Sequence, residues 1–470
     1  MVPADQGGGV MRTDLLTDPI AGLDEALATV DSFDQVLVAG LLRPQRITGL
    51  TELADAVAGS PLATRVAEAA EKTAAGAAGE EHFVSLAAAR IAVFGSVHDA
   101  LAARVAEATG RTSDEDTAPG AAGAESPNLL AAARSWLSDL ARAGWQGIDH
   151  DLVSASAPVI SALLAEPGLR RLAVLLDGFA AELAASCPGA ALDRIPVRRW
   201  GDLWSRGMLL TVPGVVATPA IGTVTGRLLP LGVDLLEHST AAQAQVHAVF
   251  EPEDGTAPRL VRASVTVPKP DTIIGAGIWQ LLRPHLSLLA AVSEGRSMDL
   301  AEMPMTAEGD LLWRDEHARP GELADAFATA RVILPKVGTA SVVPLDRHPA
   351  RISVPVFLEG YGTEGDEDAL RFTFAGSHLT VETDRIPAAG PLTPKAVAGS
   401  SACIGLIRWD DGGFRLQPLA VETTVRKKTT AVHAGAWAGG TTDKAGVKAE
   451  KAATDAAAVL RERAGRLLRK

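Results

Sequence analysis

Two periodicities divide the chain. Up to about residue 210 the apolar positions recur at helical spacing, and beyond it they alternate. Leu23, Ala26, Leu27 and Val30 stand at i, i+3, i+4 and i+7, the stripe of an amphipathic helix, and Asp-Ser-Phe-Asp at 31–34 reads as its break. Residues 51–55 and 62–70 continue the pattern. Residues 82–108 read as one long Ala-rich helix carrying Leu86, Ile91, Phe94, Leu101 and Val105. A further helix is expected over 129–143, capped by Asn128, with Trp136, Leu137, Leu140 and Ala141 on its core face. Shorter helical patterns follow at 159–164 and 169–185. Paired short helices joined by Gly/Pro turns resemble a repeat array, without a fixed sequence period.

The clearest signal in the chain is 243–267. Ala244, Val246, Ala248 and Phe250 share one face, and Gln243, Gln245 and His247 the other. After a loop at 251–259, Val261, Ala263, Val265 and Val267 oppose Arg262, Ser264 and Thr266. Alternation sends successive side chains to opposite faces, so this is an antiparallel pair with one apolar face. Residues 222–236 read as extended chain. Further strands are expected at 328–334, 352–358, 370–374, 378–382, 403–409 and 414–421, with hairpin turns at 374–378 and 409–413.

The expected fold is α+β: an α-helical, repeat-like amino-terminal half, an antiparallel β-rich half (sandwich or partly open barrel) and a carboxy-terminal helix. The expected map is a disordered 1–13, a helical domain 14–110, a linker 111–127, and helices with a hinge over 128–210. A β-rich domain with an inserted helix at 273–293 then spans 211–430, followed by a linker at 431–446 and a basic helix at 447–470.

Composition narrows the function classes. The chain has 470 residues, 47% of them hydrophobic and 21% charged, which fits folded globular domains. Aromatics are only 4%, so Ala, Val and Leu must fill the core. Arg-over-Lys, Ala-rich usage suggests a high-GC bacterial genome. A net charge of -13 repels nucleic acid and anionic membranes. Cys187 and Cys403 form no Cys-x-x-Cys pair, so neither a disulfide framework nor a cysteine zinc site is indicated. The first residues lack a signal-peptide core. The apolar run at 273–292 is interrupted by Arg283-Pro284-His285 and falls short of the roughly 20 residues of a membrane helix. A soluble cytoplasmic protein is expected.

Candidate chemistry is sparse. Glu237 and His238 end one strand, and Gln243, Gln245 and His247 line the polar face of the next. A His/Glu set on adjacent strands could hold a metal or move a proton, but no third ligand has recognisable spacing, so an ordinary polar sheet face is the better reading. Asp346-Arg347-His348 could be an acid–base group, but neighbours in extended chain point apart. His285 lies on an apolar stripe and reads as a core histidine. Gly360-Tyr-Gly-Thr-Glu-Gly365 fits the dinucleotide pattern in form, but acids and another strand follow where a helix must open, so it reads as a hairpin loop. The acids at 364–368 lack the frame of a calcium loop and read as a solvated turn. The phosphate-binding Gly-x-x-x-x-Gly-Lys loop, the Gly-x-Ser-x-Gly elbow and His-x-x-x-His spacing are all missing, so no catalytic residue, cofactor or metal is assigned.

Two features suggest partner contacts. Trp200 and Trp204 are one helical turn apart, so both rings could meet a partner, or cap the core between the halves. Residues 444–470 carry eight Lys/Arg against three Asp/Glu. With Arg463, Arg466 and Arg469, this helix could dock on an acidic protein surface, in cis or in trans, or on nucleic acid; cations near a helix end also suit the macrodipole.

Arg-Arg-Trp200-Gly-Asp-Leu-Trp204 and Gly405-Leu-Ile-Arg-Trp409-Asp-Asp-Gly-Gly-Phe-Arg-Leu-Gln-Pro-Leu resemble motifs of actinobacterial proteins encoded near MoxR-type AAA ATPases, von Willebrand A-type (VWA) proteins and SWIM zinc-finger proteins. The resemblance covers short pieces and carries no catalytic residues. It implies an accessory protein whose partners are an AAA ATPase or a VWA protein. The sequence thus points to a non-enzymatic adaptor or scaffold. The alternative is an enzyme or a small-ligand or metal-binding protein with its site on the polar sheet face.

Overall fold

The computed structural model describes residues 11–43, 47–112, 126–215, 221–238, 240–270, 272–283, 286–339, 342–367, 369–425 and 428–467. The fold is α+β, with helices first, sheets second and a helix at the carboxy terminus.

Nine helices open the described chain: α1 (Leu23–Ala39), α2 (Ile47–Ala56), α3 (Ala63–Ala74), α4 (Glu80–Thr109), α5 (Pro127–Ala143), α6 (His150–Ser154), α7 (Ser156–Ala165), α8 (Arg170–Ala185) and α9 (Val197–Leu210). The expected break at 31–34 does not occur. Both aspartates face arginines, Asp31 meeting Arg198 and Asp34 meeting Arg90, and Phe33 between them is fully buried. Helix α5 starts one residue before Asn128, with Ser126 at its amino-terminal cap position. The helices do not stack as repeats, in which each would touch only its chain neighbours. Instead α4 packs against α1, α2, α3, α5 and α9.

Helix α4 organises the molecule. Its 30 residues extend about 45 Å at 1.5 Å per residue. Its first half, with Phe83, Leu86, Ala89, Val93 and Phe94, belongs to the helical core. Its second half, with Val97, Leu101, Val105 and Ala108, belongs to the β core. It therefore joins the halves, whereas the segment expected to be the hinge, now α9, lies wholly in the helical core. Among the described residues α4 alone has the length and hydropathy of a membrane span, and 56% of that window is buried inside the fold.

The second half holds strands β1 (Ile221–Glu237), β2 (Ala241–Pro252) and β3 (Arg259–Pro268), helices α10 (Gly277–Leu282) and α11 (Leu286–Glu294), then β4 (Arg296–Thr306), β5 (Asp310–Leu311) and β6 (Ala318–Leu323). After α12 (Ala326–Val332) come β7 (Val354–Glu359), β8 (Gly362–Glu364), β9 (Arg371–Phe374) and β10 (Ser377–Val381). The chain closes with α13 (Pro394–Ala398), β11 (Ser400–Asp410), β12 (Gly413–Val425), β13 (Lys428–His433) and α14 (Lys444–Leu467).

The first sheet runs β1-β2-β3-β5-β4-β6, and β1 also pairs with β4, so the ring of pairings closes through the two-residue β5. The central pair has the expected faces: Ala244 lies opposite Val265 and Val246 opposite Ala263, all buried inside the ring. The second sheet runs β7-β11-β12-β10-β9-β8, with β13 on β12. Its Ala402, Ile404 and Ala420 pack on Leu229, Leu231 and Val249, on the outer face of the first sheet. The face expected to be polar and open is thus covered. Asp234 is buried there, accepting from Gln417 Nε2 (2.7 Å) and Arg408 Nη2 (2.7 Å).

Several expectations are corrected. Residues 328–332 lie in helix α12 and Leu334 opens a 3-10 turn, so 328–334 is not a strand: Asp325 caps the helix, and Phe327, Ala330 and Leu334 are buried. The expected linker at 431–446 is packed. It begins inside β13, Ala434 and Ala438 are fully buried, and a Cβ at Gly435 would lie 2.7 Å from Val233. Small residues there serve close approach rather than flexibility. The expected helix at 273–293 appears as α10 and α11, and His285 lies outside the described residues. So do most of 111–127 and residues 1–10; of the expected disordered start, Thr13 bonds Ser377 and opens a short helical turn. The 360–365 glycine run, expected as a loop, contains the short strand β8, which pairs with β9 as a hairpin.

Candidate functional site

Where the second half of α4 meets the outer face of β2 and β3, a cavity of about 440 Å³ remains. Helix α4 contributes His98, Asp99, Ala102, Val105 and Ala106, and the residue after its terminal glycine contributes Arg111. The sheet contributes His247 and residues 260–262. The turn after β4 brings Glu308, and the chain entering β7 brings Arg347, Arg351 and residues 352–355.

Most charged groups around it are paired. Arg262 donates to Asp310 through Nε and Nη2, both at 2.9 Å. Arg347 donates to Asp99 Oδ2 (3.1 Å) and to the Val342 carbonyl (2.7 Å). Arg351 lies 3.6 Å from Asp346. His98 Nδ1 lies 3.1 Å from Asp99 Oδ1. Burial acts to raise the Asp99 carboxyl pKa, but His98 and Arg347 outweigh it and hold the group below the usual range. Glu308 goes the other way: burial, then Asp346 and Asp310, raise its pKa.

Three groups stand apart. Arg111 follows the glycine that ends α4 and is buried; its Nη1 donates to the Pro355 carbonyl (2.7 Å) and its Nε is unpartnered. No carboxylate among the described residues pairs with it. Burial alone lowers its pKa, to about 10, so it stays charged at neutral pH. His247 is 1% exposed and its Nε2 is unpartnered. Burial first, then the cations Arg262 and Arg408, lower its pKa to about 3, so the ring is neutral. Ser353 Oγ is likewise buried and unpartnered.

The residues singled out from the sequence do not form one site. Glu237 pairs with Lys269 Nζ (3.3 Å), and Gln245 donates to Ser264 Oγ (3.1 Å). Gln243 lies opposite Thr266, and His238 lies beyond the end of β1, near Thr240. His247 faces Gly232, five ladder positions from Glu237, which is roughly 17 Å along the strand. Only His247 of the five reaches the cavity. Among the described residues no group of three or more His, Cys, Asp or Glu is placed to hold a metal. Trp200 and Trp204 are 1% and 0% exposed inside the helical core, so their rings face neither a partner nor the junction of the halves. Trp204 Nε1 donates to the Leu137 carbonyl (3.0 Å), and Trp200 meets Trp145 edge-on. Arg463 and Arg466 are exposed, and Arg469 lies outside the described residues.

Asp346-Arg347-His348 proves to be a clamp. Each of its side chains meets the helical half: Asp346 takes Arg171 and Arg206, Arg347 takes Asp99, and His348 packs at a tilt against Phe94 and lies 3.6 Å from Asp202. Arg111 was read as the first residue of a linker, and Glu308 and Ser353 carried no signal. A cation just past a helix end has a sufficient local reason in the macrodipole, which hides any second role. No protein-family model, curated protein or solved structure matches the chain.

Proposed function

We propose that the protein binds a small organic molecule in the cavity between its two halves. One observation carries this reading: Arg111 Nε, His247 Nε2 and Ser353 Oγ, all buried and unpartnered, belong to residues lining the same hollow. A buried polar atom without a partner costs about 1–3 kcal/mol, so folds rarely keep three around one space unless something completes them. The volume lies in the range of small-molecule sites, roughly 300–1,000 Å³. This develops the small-ligand alternative read from the sequence, with the site moved from the open end of the sheet to its covered part.

The test is to fill the space. Ala106→Trp puts an indole into the cavity from α4. Protein purified from its native host under mild conditions should release a small molecule on denaturation, seen by mass spectrometry, and the variant should release none. If wild type carries nothing, no compound in a metabolite library raises its melting temperature, and the tryptophan variant is the more stable, the hollow is a packing void.

A second observation supports the adaptor reading. The first turns of α14 are docked in cis: Ala453 packs on Gly277, Gln280 bonds the Glu450 carbonyl, and Arg283 pairs with Glu450 (2.6 Å). The ion pair has the reverse of the expected polarity, with the cation on the body. The last turns stand exposed, with Val459 47% accessible. In this reading 457–470 engages a partner protein, an AAA ATPase or VWA protein by the resemblance. Removing 457–470 should leave the melting temperature within about 2 °C, since little buried area is lost. It should also abolish binding to a purified MoxR-type ATPase of the same genome in a titration. Equal binding by both forms would end this reading.

A further inference from the structure

We propose that the molecule held in the cavity is a small monocarboxylic acid, its carboxylate on Arg111 and its apolar body against the α4 wall. The inference rests on the cavity reading above and names its ligand class. It starts from a charge imbalance. Arg262, Arg347 and Arg351 each have an acid of this chain: Asp310, Asp99 and Asp346. Among the described residues Arg111 has only the Pro355 carbonyl, although a guanidinium offers five N–H donors and is costly to bury without a counter-ion. The missing partner is an anion, and the planar fork of a guanidinium matches a carboxylate or a phosphate.

Two further observations choose between them. One unpaired cation balances one negative charge, and Glu308 lines the same space, so the second charge of a phosphate dianion would go unbalanced. The remaining wall is largely apolar, formed by Ala102, Val105, Ala106, Val261, Ile352 and Val354. An inorganic ion would leave that surface uncovered; a hydrocarbon or aromatic body covers it. His247 Nε2 and Ser353 Oγ then serve one further polar substituent on the acid. Arg111 also lines a smaller hollow of about 150 Å³ on its other side, beside Met11 and Leu334. Its second guanidinium, Arg331, is already held by Glu359 and Glu422.

The test is calorimetric titration of the full chain at neutral pH. The probes are butanoate, hexanoate, octanoate and benzoate, the corresponding neutral amides, and inorganic phosphate. At least one carboxylate should bind wild type, with its amide about 30-fold weaker or worse, because the amide leaves the buried cation unpaired. Arg111→Gln should weaken the acid by a similar factor and leave the amide unchanged. Arg111→Lys should fall between, and Ala106→Trp should abolish binding of the acid. The amide comparison uses wild-type protein and stands even if an Arg111 variant fails to fold. Acid and amide binding equally, both lost in Ala106→Trp, would keep the cavity reading and overturn the carboxylate. Phosphate binding that depends on Arg111, with no carboxylate bound, would also overturn it. Acid binding that survives Ala106→Trp would place the anion in the smaller hollow and refute the proposed pose. No binding by any probe at millimolar concentration would refute the acid, while a molecule released from the native protein would still uphold the cavity.

Discussion

Asp34→Ala should destabilise the protein by about 3–5 kcal/mol, the range for breaking a buried ion pair from one side. Asp34 on α1 and Arg90 on α4 both have fully buried side chains. They meet through two bonds, Nε to Oδ1 at 2.6 Å and Nη2 to Oδ2 at 2.9 Å, and Nη2 also reaches the Arg198 carbonyl of α9 at 3.1 Å. Burial raises the pKa of Asp34, and Arg90 opposes the rise. Three helices are thus tied at one point, and the guanidinium also lies 4.8 Å from the centroid of the Phe94 ring. Removing the carboxylate strands a cation where water cannot reach. Asp202, at 3.9 Å from Nη1, is too far to hydrogen-bond, and its side chain is partly exposed. The double replacement Asp34→Leu with Arg90→Met should recover much of the loss, because it removes both desolvation penalties. Urea denaturation of the three variants decides the matter. A single-variant loss below about 1 kcal/mol would mean that Asp202 moves in as counter-ion, and the account of the pair would be wrong.

That pair also shows where sequence reading stopped. Two aspartates inside a helical stripe look like a break, because the arginine that neutralises Asp34 lies 56 positions away. Features written locally were legible. The alternation over 243–267 gave the strand pair and its buried face. The glycines at 376 and 412, both at positive φ, gave the hairpins β9–β10 and β11–β12. Features that need two distant segments were not. Strands β4 and β5, through which the first sheet closes, are not among the expected strands, so the closing was not legible. His247 was correctly placed opposite the apolar face, yet alternation cannot say that a second sheet will cover that face. Arg111 reads as the first residue of a linker until Pro355 arrives from 244 residues away. The site is an encounter of α4 with the chain entering β7, and no single segment carries its signature.

The burial of these histidines makes the second large effect an acid sensitivity. His247 has its pKa lowered to about 3 by burial and by Arg262 and Arg408. His348 has its pKa lowered to about 4, chiefly by burial; Arg206, Arg90 and Arg351 add to this, and Asp202 opposes it. Burial also lowers His433. In the unfolded chain each would titrate near 6.5. The unfolded state therefore takes up protons below that pH while the folded state does not. Stability is full above pH 6.5 and falls as the pH drops toward the folded values. By pH 4 the loss from His247 and from His348 is on the order of 3 kcal/mol each. Glu308 and Glu382, with raised pKa values, work in the opposite sense, since protonation suits their folded environments. Paired carboxylates such as Asp99 give way only lower, because their folded pKa is depressed. Glu308 and Glu382 also take up protons between pH 6.5 and 4.5, so the difference between wild type and each histidine variant isolates the histidines. Urea midpoints measured across it should decline for wild type and decline less for His247→Gln, which cannot charge. His348→Gln should flatten the curve again, and here the ring also serves as a joint: its Nδ1 accepts from Ala350 N (3.1 Å), and it packs at a tilt against Phe94 of α4. Acid should therefore loosen the β-half clamp from the helical half, and the cavity between them should lose any bound acid in the same interval. A stability profile that is flat from pH 7 to 4.5, or equally steep in both glutamine variants, would show that these rings take up protons without cost and that their burial is not what the fold depends on.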